Sequence, residues 1–470
     1  MGGMLSPLAQ KRLAYQPPIP RILKDFAKVS FRSEHGLAPQ VDIVPFFPKT
    51  VSGEVVTAEL GAAVKTPPLK VGVVFSGGPA SGGHNVVAGL YDALQKISAG
   101  STLVGFQDGP QGVIDGQMVI ITPKLLENYR NQGGFDLLGS GRVKIETDVQ
   151  LQSSLATMQK LGLDGLVVIG GDDSNTNSAM LAEYFASQGC KTRVIGVPKT
   201  IDGDLQNAYV PISFGFDTAT KIYSELIGNI ARDALSSKKY YHFIRLMGRT
   251  ASHIALECAL ATHPNMVLIS EEKKSLSVLT KEITALVRER AALKKEYGVI
   301  LVPEGLIESM PDINLDMKDV PGIKRDAHGN VNVSAIETEK LLIQTVKKEL
   351  GGKFSALSHF FGYEGRCGLP TNFDANYCYV LGMTAALLVA RGQTSKMAFV
   401  GHLSHAPEQW TIGGVSLTAL MHMEERKGKR IPVIAKALVD LQGTAYRALQ
   451  EQRPHWRLFD DYICTGPIQF

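Results

Sequence analysis

Cysteine is scarce in this 470-residue chain, and charge of neither sign accumulates. The five cysteines, Cys190, Cys258, Cys367, Cys378 and Cys464, are scattered, odd in number and without a CxxC spacing. That pattern excludes a disulfide framework and a cysteine-rich zinc site, and it leaves free thiols in a reducing compartment as the expectation. The 49 Lys and Arg against 45 Asp and Glu leave a formal charge of +4. Over this length that is too little to mark a nucleic-acid or membrane-surface protein. Long hydrophobic runs are also missing. The longest, Val380 to Ala390, is about half a membrane span and ends at Arg391. No apolar leader segment opens the chain, so a cytoplasmic protein with no membrane partner is expected. Met1 to Ser6 fits the loose myristoylation pattern, a permissive match that does not change this reading.

Other features are plentiful. With 44% hydrophobic and 20% charged residues, the chain is far from the composition of disorder. Its length suits two or three domains, each able to bury a core. Glycine stands out: 47 residues, one in ten, against a usual share of about 7%. No collagen-like period accompanies it, so the excess needs a local explanation.

Residues 1–69 read as an extension. Pro17, Pro18, Pro20, Pro39, Pro45, Pro48, Pro67 and Pro68 interrupt any periodicity, so this stretch is expected to wrap the surface without forming a domain. From residue 70 the pattern changes to short apolar runs, each closed by glycine or polar residues. Val71–Phe75 leads into Ser76-Gly77-Gly78, Gly165–Ile169 into Gly170-Gly171-Asp172-Asp173, and Arg193–Val197 into Pro198-Lys199-Thr200. Met266–Ile269, Gly298–Val302 and Lys396–Val400 behave alike. Such continuous runs read as strands buried on both faces of a parallel sheet. Helical stretches such as Ser174–Phe185 and Asp217–Leu235 lie between them. The alternation predicts a doubly wound, Rossmann-like α/β fold. In such sheets ligands bind beyond the carboxyl ends of the strands, so the segments that follow are expected to gather in one cleft.

Ser76 to Asn85 places four glycines after a strand and before a helix. Glycines there let backbone N–H groups approach a phosphate. The segment lacks the Gly-Lys-Ser/Thr ending of a P-loop. A tight turn with no ligand is the competing reading. Gly170-Gly171-Asp172-Asp173-Ser174 offers two carboxylates of the kind Mg²⁺ shares with phosphate oxygens; an ordinary helix cap fits the same residues. In Pro198-Lys199-Thr200-Ile201-Asp202-Gly203-Asp204, Lys199 offers a point charge for phosphate and Asp202 a general base that Asp204 could orient. A loop with a solvated charge pair is the alternative. Met247-Gly248-Arg249, Glu304 and Tyr363-Glu364-Gly365-Arg366 are weaker singly. His402 and His405 have HxxH spacing without further metal ligands nearby.

In this order the motifs resemble the pyrophosphate-dependent phosphofructokinases, within the wider 6-phosphofructokinase superfamily. The long-chain group that includes the plant catalytic subunit is the most similar. The resemblance runs from about residue 70 to the C-terminus and also covers Ser213–Leu235, Lys239–Arg249, Phe360–Asp374, Glu408–Gly414 and Gly466–Phe470. It implies two Rossmann-like, three-layer domains with parallel-rich sheets. The expected boundaries are an extension over 1–69, a pyrophosphate and Mg²⁺ domain over 70–212 and 366–420, and a fructose 6-phosphate domain over 213–365 and 421–470.

The implied reaction is reversible transfer of phosphate from pyrophosphate to the 1-hydroxyl of fructose 6-phosphate, giving fructose 1,6-bisphosphate and phosphate. By motif, Gly78 and Lys199 would hold pyrophosphate and Asp172 would bind Mg²⁺. Asp202 would take the hydroxyl proton, with Thr200, Ile201 and Asp204 beside it. Met247, Gly248, Arg249, Glu304, Tyr363, Glu364, Gly365 and Arg366 would hold the sugar phosphate. Lys239 and Tyr240 would reach a neighbouring subunit's sugar site, which implies a homodimer or homotetramer.

Asp173 and Lys199 set the donor. Relatives that use ATP carry Gly at the first position and a different residue at the second, and a carboxylate at 173 fills room a nucleotide's α-phosphate needs. Three rivals are less well matched. An ATP-dependent 6-phosphofructokinase is disfavoured by Asp173 and Lys199. A non-catalytic regulatory subunit should have lost Lys199, Asp202 or Asp204. A diacylglycerol- or NAD-kinase-like protein would not explain the 199–204 segment. The chain departs from the family pattern at Ser81, where Pro is usual, at His402 to His405, and in a region between Glu304 and Ile336 that is much shorter than in long-chain relatives. There the polar stretch Met310–Val333 puts the quaternary arrangement in question.

Overall fold

The computed structural model describes residues 5–312, 336–352, 354–426 and 428–466. The expected loop over Met310–Val333 falls almost wholly outside them. Among the described residues the strands are β1 (Val29–His35), β2 (Glu54–Leu60), β3 (Lys70–Phe75), β4 (Thr102–Phe106), β5 (Met118–Ile121), β6 (Gly165–Gly170), β7 (Arg193–Pro198) and β8 (Tyr241–Leu246). They continue with β9 (Met266–Val267), β10 (Gly298–Pro303), β11 (Ala356–Phe361), β12 (Lys396–Gly401), β13 (Thr411–Ser416), β14 (Met421–Arg426) and β15 (Lys429–Ile434). Of the predicted runs, Met266–Ile269 pairs only over its first two residues; the others extend by a residue at one end.

The chain divides into two compact units: 1–200, 205–215 and 366–436 form the first; 201–204, 216–365 and 437–470 form the second. The first unit holds a nine-stranded sheet in the order β1-β2-β13-β12-β7-β6-β3-β4-β5. Its centre, from β12 to β4, is parallel, and antiparallel strands flank it on both sides. Chain order reverses between β3 and β6, because β4 lies on one side of β3 while β6 and β7 run outward on the other. The turns after β3 and β6 therefore flank the switch point where α/β sheets open a crevice. The second unit has an all-parallel sheet, β11-β8-β10-β9. Tyr241, Phe243, Ile283, Leu286, Ile300 and Leu342 are among the residues of its core.

Three expected boundaries are corrected. The proline-rich extension is part of the first unit: β1 and β2 pair antiparallel, and β2 joins the sheet edge through β13. Arg391 secures the entry, donating from Nε to the Val29 carbonyl at 2.7 Å and from Nη2 to the Phe26 carbonyl at 2.9 Å. The hairpin β14–β15 also belongs to the first unit and not to a domain over 421–470. Its Met421 and Ile434 share a core with Met397, Phe399 and Leu417, and the Ile434 N–H donates to Thr176 Oγ1 at 2.9 Å. Residues 201–204, expected with the first domain, cluster instead with the second.

The apolar run at 380–390 lies in a longer helix, Asn372–Ala390, capped by Thr371, whose hydroxyl accepts the Asp374 N–H at 3.2 Å. By length and composition it could cross a membrane, yet every residue from Asp374 to Val389 is buried in the first unit. An all-round apolar helix is what a core position requires. It packs on the helix Gly83–Ile97 with Gly89 against the Tyr379 backbone and Gly382 against the Val86 carbonyl. A methyl at Gly89 would meet backbone, which cannot swing aside. Gly89→Ala is therefore expected to lower stability by about 1–3 kcal/mol, read as a fall in the thermal unfolding midpoint. An unchanged midpoint would show that the helices can separate at no cost.

Candidate active site

In the first unit the carboxyl end of β3 leads into Ser76-Gly77-Gly78. Gly77 has φ +88°, a left-handed turn open to glycine at no steric cost. The turn is held from β6: the Ser76 N–H donates to the Ile169 carbonyl at 2.8 Å, and Ser174 Oγ donates to Ser76 Oγ at 2.8 Å. Cations stand over it. Lys199 Nζ lies 3.3 Å from where a Cβ on Gly77 would be. A Cβ on Gly78 would lie 2.5 Å from Arg366 Nη2 and 3.6 Å from Arg142 Nη2. Lys199 is itself buried, and its N–H donates to the Gly170 carbonyl at 3.0 Å. Three cations thus converge on a glycine turn at the switch point.

The acid pair opens the helix Asp172–Ser187. Asp172 lies 3.5 Å from Lys436 Nζ. Asp173 is held at 2.7 Å by Arg426 Nη1 and at 3.1 Å by Lys144 Nζ. Partial burial works against its charge, but the hydrogen bonds and charges of Arg426 and Lys144 outweigh that and hold its carboxyl below the usual range. Arg142, Lys144, Arg426 and Lys436 escaped the sequence reading. They come from a loop and from the β14–β15 segment, and only tertiary pairing brings Arg142 to the glycine turn and the other three to the acid pair.

Ser81, where the family pattern has Pro, is buried and donates from Oγ to the Gly368 carbonyl at 2.7 Å. The hydroxyl thus ties the glycine segment to the stretch just after Arg366. His84 is fully buried. Leu137 N–H donates to its Nε2 at 3.3 Å, so Nδ1 carries the proton toward the Gln132 carbonyl. Burial pushes its pKa down to about 4, against the opposing pulls of Asp136 and that hydrogen bond. Among the described residues no group of three or more His, Cys, Asp and Glu forms a metal cage. His402 and His405 are exposed, edge-on with ring centres 5.8 Å apart, and the structure gives them no role.

In the second unit three neighbouring parallel strands, β11, β8 and β10, end in segments the sequence singled out. Tyr363, Glu364 and Gly365 follow β11, Met247-Gly248-Arg249 follows β8, and Glu304 follows β10. Glu304 is buried, with its N–H on the Leu246 carbonyl at 2.9 Å; the next N–H, of Gly305, donates to the Gly248 carbonyl at 3.1 Å. The 201–204 segment is firmly set. Gly203 has φ +75° and sits where a Cβ would lie 3.0 Å from both His253 Cβ and the Phe216 ring. The carbonyl of buried Asp204 accepts the Ala437 N–H at 2.7 Å.

The expected residues thus divide. Gly78, Asp172, Asp173, Lys199, Thr200 and Arg366 lie in the first unit; Ile201, Asp202, Asp204 and the sugar-side set lie in the second. Lys239 and Tyr240 stand apart from that set. They precede β8, so its six residues, about 20 Å of extended chain, separate them from Met247–Arg249.

Fold and site define an α/β protein whose strand ends concentrate glycine, paired carboxylates and cations, the equipment of a phosphate-handling enzyme. Residues 70–389 match the phosphofructokinase family, and the chain belongs to that family. It is 47% identical to the "Pyrophosphate--fructose 6-phosphate 1-phosphotransferase subunit beta" of Solanum tuberosum, covering 100% of this chain and 92% of the relative. It is 42% identical to the "Pyrophosphate--fructose 6-phosphate 1-phosphotransferase" of Porphyromonas gingivalis, covering 99% and 96%. The potato alignment runs over 522 positions against 470 residues here, so the relative carries segments this chain lacks. Among solved structures, a pyrophosphate-dependent phosphofructokinase from Nitrosospira multiformis superposes with a TM-score of 0.63 at 18% identity, covering 85% of this chain and 95% of that one. That likeness speaks to the fold.

Proposed function

We propose that this chain transfers phosphate reversibly between pyrophosphate and the 1-hydroxyl of fructose 6-phosphate, yielding fructose 1,6-bisphosphate and phosphate. The observation that carries the proposal is the set of Lys199, Arg142 and Arg366 around Gly77 and Gly78; the full-length similarity to pyrophosphate-using relatives supports the same substrates. Asp202 takes the proton of the 1-hydroxyl. The freed oxygen attacks the terminal phosphorus of pyrophosphate, the bond from that phosphorus to the bridging oxygen breaks, and phosphate leaves with the electron pair. Most of the rate comes from positioning and from stabilising spread-out negative charge, and these three cations serve that end. The resemblance implies a sugar-phosphate contact for Arg366. Its place over Gly78 favours the donor, and we assign it there.

Asp172 at the strand end suits Mg²⁺, which takes one or two carboxylates and fills its shell with phosphate oxygens and water. Bound there, Mg²⁺ would neutralise the pyrophosphate charge. Met247, Gly248, Arg249, Glu304, Tyr363 and Glu364 would receive the sugar phosphate. Lys239 and the exposed Tyr240, at the far end of β8, fit a contribution to a neighbouring copy's sugar site and hence a homo-oligomer. The five free thiols fit the reducing cytoplasm.

Purified protein given fructose 6-phosphate and Mg²⁺ is expected to form fructose 1,6-bisphosphate with pyrophosphate and none with ATP. Turnover with ATP alone would overturn the proposal.

A further inference from the structure

One buried side chain in the second unit touches the sugar-side machinery at several points, and no motif announced it. Tyr223 lies within the helix Phe216–Ser237 and is wholly buried. Its hydroxyl donates to the Gly362 carbonyl. Its ring lies against Gly365, where any Cβ would strike the ring carbons and the hydroxyl. It therefore grips both ends of the short turn Tyr363–Gly365 that follows β11. Inside that grip the Gly362 N–H donates to Glu364 Oε2 at 3.0 Å, and Tyr363 projects outward, 67% exposed.

The electrostatic surroundings agree. Burial raises the phenol's pKa far above its ordinary value, and the charges of Glu364, Cys258, Asp202 and Glu304 add to the rise. The phenol thus stays protonated throughout the working range and keeps the O–H that it donates to the Gly362 carbonyl. Three carboxylates from three separate segments, the turn after β11, the 201–204 loop and the end of β10, all lie near enough to act on it. A phenylalanine would fill the same volume in a helix interior. The hydroxyl is the part that packing does not need.

We propose that Tyr223 is a positioning residue for the sugar-phosphate acceptor, holding the 362–365 turn so that Tyr363 and Glu364 present a fixed face to it. This rests on the reading that these two side chains contact fructose 6-phosphate. The residue acts through the turn and takes no part in the bond changes.

Tyr223→Phe keeps the ring under Gly365 and leaves the Gly362 carbonyl without its donor. The KM for fructose 6-phosphate is expected to rise roughly five- to tenfold, while kcat and the KM for pyrophosphate stay within about twofold. Calorimetric titration with fructose 6-phosphate in the absence of pyrophosphate should weaken by the same factor. Gly365→Ala pushes on the ring from the other side and is expected to act in the same direction, with the double variant falling short of the combined single effects. Unchanged fructose 6-phosphate affinity in Tyr223→Phe, equal rises for both substrates, or additive effects of the two substitutions would overturn the assignment. A parent enzyme inactive with pyrophosphate would instead remove the proposed reaction, leaving the two failures distinct.

Discussion

Asp202→Ser is expected to turn over about 10²–10⁴-fold more slowly than the parent, the range by which a positioned general base accelerates proton transfer, while still binding fructose 6-phosphate. The backbone around this residue is over-determined. Gly203 is wedged between His253 and Phe216, and the Asp204 carbonyl is fixed by the Ala437 N–H. His253 Nε2 in turn lies 3.0 Å from the Ala437 carbonyl. A serine at 202 therefore removes the carboxylate without releasing the turn. Steady-state kinetics paired with calorimetric binding of fructose 6-phosphate separate the possibilities. Near-normal turnover would take Asp202 out of the role of base. A parallel loss of sugar-phosphate binding would make it a binding group.

The second large effect concerns the donor. Asp173→Gly combined with Lys199→Gly is expected to give measurable turnover with ATP and to lower turnover with pyrophosphate by about two orders of magnitude, the scale of losing one preorganised charge contact. Asp173 is no loose surface acid. Arg426 and Lys144 clamp it and hold its carboxyl below the usual range, so the exclusion of a further phosphate expected of it would combine bulk with fixed like charge. Removing it clears that volume and also turns two cations toward whatever anion enters. Lys199 is buried against the glycine turn, suited to a short, dense anion. Assays with each donor decide the matter. No ATP turnover, with pyrophosphate activity intact, would count against this account.

The central parallel strands were legible because burial on both faces writes them as unbroken apolar runs. Gly165–Ile169 and Arg193–Val197 stand out before any contact is known. The edges were not. β1 reads Val-Ser-Phe-Arg-Ser-Glu-His and is largely exposed, so nothing but its pairing with β2 marks it as a strand. The hairpin β14–β15 is half-buried and rich in charge, and its membership of the first unit depends on Thr176 and a shared core. The glycines and acids of the proposed site announce themselves because each follows a strand within a few residues. Their partners do not: Arg142, Lys144 and Arg426 carry no local pattern, and Tyr223 looks like any aromatic in an amphipathic helix. Spacing finds what neighbours along the chain determine, and misses what only folding assembles.

The first unit is interrupted in sequence, and this matters while the chain is being made. Its central strands through β7 are complete by residue 198, but β12, β13 and the buried helix Asn372–Ala390 arrive some two hundred residues later. At typical synthesis rates of about 5–20 residues per second, the nascent first unit waits roughly ten to forty seconds with one sheet edge unpaired and the seat of its core helix empty. Meanwhile the 216–365 stretch of the second unit emerges whole. The second unit is interrupted as well, since 437–470 close it and buried Arg290 waits there for Asp460, so each unit is completed only once nearly the whole chain has been made.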